Sequence, residues 1–303
     1  MASQTNPLAA ALKLIRPKQW IKNSFVFAAL IFSKELFQLT PFLTALRAFA
    51  AFCLTASAVY IINDIVDAEA DRAHPKKRFR PIAAGTISVT QALVLLGLVV
   101  CIALLIAWPL PGAFKLLIGL YFAMNLAYSF KLKEVMLLDV FIIAAGFILR
   151  VLGGAYAIGV AVSNWLVLCT MFISLFLGFA KRRGELVAMQ AAGKEAERKV
   201  LQHYRLEVID QMLTITAAGT VISYALYTVA PRTLEVFGTD RLIYTTVFVM
   251  YGVFRYMHLI HATDSTENPT AVVASDVPII VVAGLWVLSC VMLIYFKGNI
   301  PGL

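Results

Sequence analysis

The sequence has 303 residues, of which 61% are hydrophobic and 14% are charged, and its mean hydropathy is +0.83. This composition excludes an ordinary soluble globular domain and indicates an integral membrane protein. The net charge of +9 does not require a nucleic-acid partner, because lysine and arginine accumulate in the cytoplasmic loops of membrane proteins.

Apolar stretches long enough to cross a bilayer recur along the chain and predict an all-α membrane protein with about nine transmembrane helices. The expected spans are 23–39, 42–63, 88–108, 113–130, 135–159, 164–180, 208–230, 242–261 and 277–296. Residues 1–22 precede them as an amphipathic segment at the membrane interface, with Trp20 expected among the lipid headgroups. We expect residues 1–303 to form a single transmembrane catalytic domain.

The distribution of lysine and arginine predicts the orientation of these spans. With the N-terminus inside, the inner segments hold 18 of the 26 cations and the outer segments hold six. The remaining two, Arg150 and Arg255, lie within predicted helices. The bias predicts a multi-pass protein of the inner (plasma) membrane with a cytoplasmic N-terminus. The loops after the second, fourth and sixth helices then face the cytoplasm, and so does the expected active site.

The most informative stretch follows the second predicted span, where a cluster of acidic residues precedes a run of basic ones. Helical spacing places four of its polar side chains on one face: Asn63, Asp64, Asp67 and Asp71. Crowded carboxylates repel one another unless a cation lies among them, and oxygen ligands without Cys or His favour Mg²⁺, with Mn²⁺ as the alternative ion. These four are the predicted metal ligands and catalytic residues. A solvated helix end followed by a positive loop is the alternative, but the order of the acidic and basic residues and their membrane context favour a functional site.

Eight residues near the predicted cytoplasmic ends of the helices are candidates for binding substrate phosphates. They are Lys22, Lys77, Arg78, Arg80, Tyr128, Lys131, Lys181 and Arg182. Anchoring at the membrane surface would account for most of these cations equally well. Glu185 shares a helix face with Lys181 and could complete a metal shell. Arg150 and Arg255 are further candidates, because a charge inside a membrane helix is costly and usually faces a cavity or a partner.

At these residues the chain resembles the UbiA-type intramembrane prenyltransferase superfamily, whose first signature matches Asn63-Asp64-x-x-Asp67-x-x-x-Asp71. The resemblance implies nine helices around a central cavity, and Mg²⁺ used with a polyprenyl diphosphate. That superfamily has a second aspartate-rich motif after its sixth helix, where this sequence holds Lys181-Arg182-Arg183-Gly184-Glu185. This basic motif and the stretch 69–85 resemble one branch, the decaprenyl-phosphate phosphoribosyltransferases.

Resemblance to that branch implies transfer of 5-phosphoribose from phosphoribosyl diphosphate to a polyprenyl phosphate, with release of diphosphate, towards arabinose donors for the cell envelope. The lipid phosphate is already anionic at neutral pH, so this reaction needs no general base. One alternative is a prenyltransferase that moves a prenyl group to a small acceptor. A lipid or small-molecule transporter is a second alternative, because charges inside helices also mark transport paths. The sequence leaves open the prenyl chain length and whether the protein forms a homo-oligomer.

Overall fold

The structure is a computed structural model, and it describes residues 7–73, 77–192, 199–262 and 275–296. Over these residues it is helical and contains no strand. The α-helices are α1 (Pro7–Ile15), α2 (Ala28–Ile31), α3 (Leu39–Val66), α4 (Ala68–Ala73), α5 (Val89–Ala107), α6 (Gly112–Phe130), α7 (Leu138–Ile158), α8 (Asn164–Ala192), α9 (Leu206–Val229), α10 (Pro231–Phe237), α11 (Thr246–Ala262) and α12 (Val277–Tyr295). Five 3₁₀ helices join them: Pro17–Phe27, Lys77–Phe79, Leu132–Glu134, Lys199–His203 and Arg241–Thr245.

Seven helices in the described part of the chain are long and apolar enough to cross a membrane: α3, α5, α6, α7, α8, α9 and α12. Apolar runs of this length become helices because a helix satisfies its own backbone N–H and C=O groups where no water is present. The chain is therefore an all-α, multi-span membrane protein, as predicted, whereas the count of nine is not confirmed. The eighth predicted span corresponds to α11, which has 17 residues.

The first predicted span, residues 23–39, is not one continuous helix. The chain instead forms an unusually long 3₁₀ helix, Pro17–Phe27, and then the single turn of α2. Its side chains contact α3 one turn after another: Trp20 Nε1 donates to Ser57 Oγ at 3.0 Å, and Asn23 Nδ2 donates to Cys53 Sγ at 3.2 Å. The 3₁₀ helix therefore runs antiparallel to α3, starting beside the end of α3 that carries the acidic motif.

Close backbone packing against α7 accompanies this arrangement. A Cβ atom added at Gly154 would lie 1.9 Å from the carbonyl oxygen of Val26, so the position accepts no side chain unless the backbone moves. Val26 itself is fully buried. The length of the 3₁₀ helix is explained by tertiary contacts rather than by local preference, because 3₁₀ runs longer than three or four residues are uncommon.

Helix α8 also differs from its predicted span. It continues to Ala192, so the basic motif at Lys181–Glu185 lies inside a helix and not in a loop after it. The acidic motif, by contrast, spans a helix end, because α3 stops at Val66 and α4 begins at Ala68.

Contacts divide the chain into two compact units, Met1–Phe130 with Leu149–Ala161 and Lys131–Ile148 with Val162–Leu303. The expectation of one catalytic domain therefore stays a prediction. The core of the first unit includes Phe52, whose ring meets those of Phe114 and Tyr121 edge-on at 5.7 and 5.4 Å. The core of the second unit lies between α8, α9 and α11 and includes the Phe176–Tyr256 pair at 5.5 Å.

Candidate active site

The acidic motif sits where α3 passes into α4, in the first unit. Asp67 is the residue between the two helices, yet the backbone keeps its helical hydrogen bonds through it. The Asp67 N–H donates to the Asn63 carbonyl at 2.9 Å, and the Asp71 N–H donates to the Asp67 carbonyl at 2.8 Å. The four-residue spacing on which the predicted common face depends is thus preserved across the break.

Asp64 is the buried centre of this motif, with only 2% of its surface exposed. Its Oδ1 atom lies 2.5 Å from Arg16 Nη2 and 3.2 Å from Arg80 Nη1. Arg80 Nη1 also donates to Asp71 Oδ2 at 2.6 Å, so one guanidinium links two of the predicted metal ligands. A buried carboxylate is costly unless it is paired, and here two arginines supply the compensating charge.

Arg16 reaches Asp64 because of a sharp turn at the end of α1. Its backbone is left-handed, with φ of 56° and ψ of 57°, an uncommon conformation for a residue that is not glycine. The guanidinium stacks over the ring of Tyr60, 4.9 Å from its centroid. Ser57 Oγ donates to the Ile15 carbonyl at 2.8 Å and fastens the turn to α3. Arg16 is not among the predicted site residues, because no local sequence pattern links it to Asp64.

The basic loop after α4 lies against the same end of α3. Lys13 Nζ donates to the Phe79 carbonyl at 2.9 Å and so ties α1 to the loop. Arg78 is exposed and stacks over the Phe79 ring at 4.9 Å, whereas Lys77 is half-buried. Gly85 ends the loop with a φ of +73°, which explains the glycine at the end of the motif. Arg80, predicted to bind phosphate, is engaged with carboxylates in this structure.

The start of α5 fixes the far end of this loop. Ser88 Oγ accepts from the Gln91 N–H at 3.2 Å, and Gln91 Oε1 accepts from the Ser88 N–H at 2.9 Å. This reciprocal pair satisfies two N–H groups that the first turn of a helix leaves unbonded. The loop is therefore held at Phe79 and at Ser88, while the Arg78 side chain stays exposed.

The donors present suit a hard divalent cation that also takes ligands from a substrate. Asn63 Oδ1 is buried and has no hydrogen-bond partner among the described residues, so it is an acceptor in need of a cation or a donor. Within the same residues, no three His, Cys, Asp or Glu side chains are grouped closely enough to hold a metal by themselves. Mg²⁺ commonly uses one or two carboxylates and completes its shell with phosphate oxygens and water.

A second group of polar residues in the first unit surrounds Arg150 on α7. This arginine is 7% exposed; its Nε donates to Asn23 Oδ1 at 2.7 Å and its Nη2 to the Tyr121 hydroxyl at 2.8 Å. The guanidinium also lies 4.7 Å from the centroid of the Tyr121 ring. Burial, and then repulsion from Arg150 and Arg16, lowers the pKa of Lys22. The sequence marked Lys22 and Arg150 but not Asn23 or Tyr121.

The basic motif on α8 belongs to the second unit, where its residues have unequal roles. Arg182 is fully buried; its Nε lies 3.0 Å from Asp139 Oδ2 and its Nη1 bonds to Glu185. Lys181 is more exposed and lies 3.8 Å from Glu185 Oε1, as the helical spacing predicted. Arg182 is thus enclosed by two carboxylates, and its assignment as a phosphate ligand stays a prediction that this geometry does not favour.

Tyr204 completes the buried cluster around Asp139. Its hydroxyl donates to Asp139 Oδ1 at 2.8 Å and accepts the Leu137 N–H at 2.9 Å. Burial and the bond to Asp139 raise the pKa of Tyr204, so the hydroxyl stays protonated. Asp139 therefore has a hydrogen-bond donor and an arginine as partners, which offsets the cost of burying its carboxyl group.

The remaining predicted site residues have simpler surroundings. Arg255 Nη2 pairs with Asp276 Oδ2 at 2.9 Å, and Asp276 Oδ1 accepts the Ile279 N–H at the start of α12 at 3.0 Å. Lys131 is exposed and precedes the 3₁₀ helix Leu132–Glu134, while Tyr128 lies in the last turns of α6. Substrate contact by Arg255, Lys131 or Tyr128 stays a prediction.

Comparison with known proteins agrees with this arrangement of motifs. A model of the UbiA prenyltransferase family matches residues 24–275. A protein of Mycolicibacterium smegmatis named decaprenyl-phosphate phosphoribosyltransferase is 38% identical over 226 residues, or 73% of this chain and 71% of that protein. Its namesake from Corynebacterium glutamicum is 33% identical over 290 residues, or 94% of this chain and 86% of that protein.

A solved structure gives the same result for the fold. The UbiA homolog from Archaeoglobus fulgidus bound to GPP and Mg²⁺ matches with a TM-score of 0.71 and 19% identity, over 94% of this chain and 99% of that one. Similarity at this identity concerns the fold alone. The family model, however, covers most of the chain, and the matches to the two named relatives cover most of the length of those proteins. The chain therefore belongs to the UbiA prenyltransferase family and is a membrane-embedded transferase.

Proposed function

We propose that this transferase moves 5-phosphoribose from 5-phosphoribosyl 1-diphosphate to a polyprenyl phosphate such as decaprenyl phosphate, with release of diphosphate. The observation that carries the proposal is the acidic motif set among arginines and lysines, in a chain whose relatives are named for this activity. Both substrates carry several negative charges, so they need more cations than a prenyl diphosphate and a neutral acceptor would. The first unit contains six cations that would serve this need, two of which, Arg16 and Arg80, also pair with the acidic motif. The six are Arg16, Lys22, Lys77, Arg78, Arg80 and Arg150.

Asn63, Asp64, Asp67 and Asp71 are the residues that would hold Mg²⁺, with Mn²⁺ as a substitute ion. Such an ion neutralises charge on a departing diphosphate and makes it a better leaving group. The buried, partnerless Asn63 Oδ1 and the hard oxygens of the three carboxylates support this assignment. The A. fulgidus homolog, solved with Mg²⁺, supports a divalent metal for the fold.

The side chains of the first unit would divide the remaining tasks. Arg16 and Arg80 compensate the negative charge of Asp64 and hold its carboxylate in place, because each guanidinium lies within contact of it. Arg78, which is exposed, and Lys77, which is half-buried, would bind phosphate oxygens. Charge accumulates on the leaving diphosphate as the bond to ribose C1 breaks, and fixed cations stabilise that charge.

No proton needs to be removed from the acceptor. A polyprenyl phosphate is anionic at neutral pH and can attack ribose C1 directly, so a general base would contribute little. The acidic motif contains no histidine, and its most buried carboxylate is already paired with arginine. We place this chemistry on the cytoplasmic side of the plasma membrane, where the charge distribution of the loops also places the N-terminus. The product would serve as a precursor of arabinose donors for the cell envelope.

Prenyl transfer to a small acceptor is the second candidate, because the family is named for it and the A. fulgidus homolog was solved with GPP. Transport is less well supported, since a transport path gives no reason for an acidic motif joined to a basic loop.

The test is a pair of assays on the purified protein. Radiolabelled phosphoribosyl diphosphate is offered with decaprenyl phosphate, and a prenyl diphosphate is offered with an aromatic acceptor, each with Mg²⁺ and with excess chelator. Chelator-sensitive label in the lipid fraction from the first assay supports the proposal, and product from the second assay alone overturns it.

A further inference from the structure

Arg80 belongs to the basic loop, yet its side chain joins the acidic motif. Its Nη1 atom donates to Asp71 Oδ2 at 2.6 Å and lies 3.2 Å from Asp64 Oδ1. Asp64 and Asp71 are buried, with 2% and 3% of their surfaces exposed, whereas the Arg80 side chain is 27% exposed. One partly exposed guanidinium thus bridges two buried carboxylates that the proposed function assigns to a metal ion.

This bridge opposes binding of a metal ion by the same carboxylates. A guanidinium and a divalent cation are both attracted to carboxylate oxygens, and at contact distance they repel each other. Asp64 and Asp71 carry two negative charges between them, and Arg16 and Arg80 supply two positive charges at 2.5 to 3.2 Å. A cation that arrives alone meets pairs whose charges already balance, so we expect these arginines to lower its affinity.

The surroundings of the two arginines indicate which of them can change partners. The Arg16 guanidinium is fixed by stacking over the ring of Tyr60 as well as by its ion pair. Arg80 is fixed through its backbone instead: its N–H donates to the Lys77 carbonyl at 2.9 Å, and its carbonyl accepts the Ala84 N–H at 2.8 Å. The Arg80 side chain can therefore turn away from the carboxylates while the loop keeps its hydrogen bonds.

The donor of the proposed reaction offers the Arg80 guanidinium a second partner. Its diphosphate is anionic, and phosphate oxygens accept the two parallel N–H bonds of an arginine as carboxylate oxygens do. We infer that Arg80 exchanges partners: it holds Asp64 and Asp71 until the donor arrives, and then binds the diphosphate while these carboxylates bind the metal ion. The inference rests on the proposed function and adds that Arg80 makes the cation and the diphosphate bind together rather than singly.

Removal of the Arg80 charge should have opposite effects on the two ligands. A cation alone should bind more tightly, because Asp64 and Asp71 lose a competing partner, and diphosphate should bind more weakly, because it loses a charge-assisted contact. A purely structural role for Arg80 predicts the opposite change for the cation. Metal-binding carboxylates depend on the hydrogen bonds that orient them, so loss of such a bond would weaken cation binding.

Mn²⁺ is the probe for the cation, because its electron paramagnetic resonance spectrum distinguishes free from bound ion with no substrate present. For purified full-length Arg80→Gln we expect the Kd of Mn²⁺ alone to fall about 10-fold. We expect the Kd of radiolabelled inorganic diphosphate, measured with saturating Mg²⁺, to rise about 10-fold, the usual effect of one charge-assisted contact. Asp67→Asn should abolish this Mn²⁺ binding, and Mn²⁺ binding that survives it would place the ion away from the acidic motif and overturn the inference.

Two companion variants separate direct contact from the general field of the loop. Arg78→Gln removes an exposed cation that stacks over the Phe79 ring, and it should change the Kd of Mn²⁺ by less than about twofold, because exposed charges are screened. Arg80→Lys keeps a charge but loses the planar fork that spans both carboxylates, so it should tighten Mn²⁺ binding about threefold. It decides the matter if Arg80→Gln does not fold.

Unchanged or weaker Mn²⁺ binding, or undiminished diphosphate binding, in folded Arg80→Gln would overturn the inference, and so would equal tightening of Mn²⁺ in Arg78→Gln. If Arg80→Lys has to decide, Mn²⁺ binding that is no tighter than in the wild type has the same consequence. None of these measurements needs turnover. A wild-type protein that transfers nothing from phosphoribosyl diphosphate would therefore overturn the proposed function separately, whatever the two Kd values show.

Discussion

Asp64 shows how much of this site depends on single charges. Its carboxylate is buried at a helix end, and the two guanidiniums beside it come from segments 48 residues before it and 16 residues after it. Arg80 is shared between Asp64 and Asp71, so the acidic motif and the basic loop form one electrostatic unit. The neighbouring Asp67 is less buried and ends α3. Removal of a charge from this unit should therefore affect function, and at the buried Asp64 it should lower stability as well.

Asp67→Asn tests the proposed metal site at a carboxylate that is less buried than those of Asp64 and Asp71. The substitution keeps the size of the side chain and the backbone hydrogen bonds to Asn63 and Asp71. We expect phosphoribosyl transfer to fall at least about 100-fold, because a carboxylate ligand becomes a neutral amide. Glu69→Gln, an exposed change in α4, is the matched control and should keep its activity. Wild-type rates for Asp67→Asn, or wild-type turnover in excess chelator, would remove the motif from metal binding.

The basic motif on α8 makes a different prediction for each of two adjacent residues. Arg182→Ala would leave the buried Asp139 without its arginine, and loss of one partner of a buried pair costs about 3–5 kcal/mol. We expect that variant to lose much of its folded yield and to melt at a lower temperature. Lys181→Ala changes a more exposed side chain and should keep its melting temperature while lowering transfer about 10-fold.

Melting curves and initial rates of purified Lys181→Ala and Arg182→Ala in detergent separate structure from substrate binding. If Lys181→Ala has wild-type kinetics, the motif is not part of phosphate binding. A normally stable Arg182→Ala would contradict the role of the Asp139 pair.

For the helices, the sequence predicted features that follow from local residue patterns. It did not predict features that follow from contacts with distant parts of the chain. The hydrophobic runs of α5 and α6 predicted those helices within a residue or two, and the spacing of Lys181 and Glu185 predicted their contact. The 3₁₀ conformation of residues 17–27 was not predicted, because it follows from packing against α3 and α7. The pairing of Arg16 with Asp64 joins residues 48 apart, and no local pattern reveals it.

Gly154→Ala tests whether the backbone contact between α7 and the 3₁₀ helix leaves room for a methyl group. The added methyl group would meet the Val26 carbonyl, and a backbone atom cannot turn aside as a flexible side chain can. Overpacking of this kind costs about 1–3 kcal/mol, so we expect a lower melting temperature. Gly119→Ala on α6 meets no atom within 4 Å and serves as the control. Equal melting temperatures for the two variants would show that the 3₁₀ helix can move away from α7 at little cost.

For the molecule as a whole, membrane orientation connects the fold to the proposed chemistry. Glu134 lies between α6 and α7, and Asp240 lies between α9 and α11. Three helices long enough to cross a membrane, α7, α8 and α9, separate these two positions. An odd number of crossings puts the two positions on opposite sides. The result does not depend on whether the 3₁₀ helix Pro17–Phe27 or α11 crosses the membrane.

The absolute orientation follows from charge, and cysteine labelling can test it. Glu134 and Asp240 are both exposed and lie outside the proposed site, so Glu134→Cys and Asp240→Cys should fold in a background from which Cys53, Cys101, Cys169 and Cys290 have been removed. The bias of lysine and arginine predicts that Glu134 lies in the cytoplasm. In intact cells, a membrane-impermeant maleimide should therefore label Asp240→Cys at once and Glu134→Cys only after the cells are opened.

Labelling of both from outside would mean that one of α7, α8 and α9 does not cross the membrane. A reversed pattern would put the acidic motif on the outer face, away from the cytoplasmic supply of phosphoribosyl diphosphate, and would contradict the proposed function.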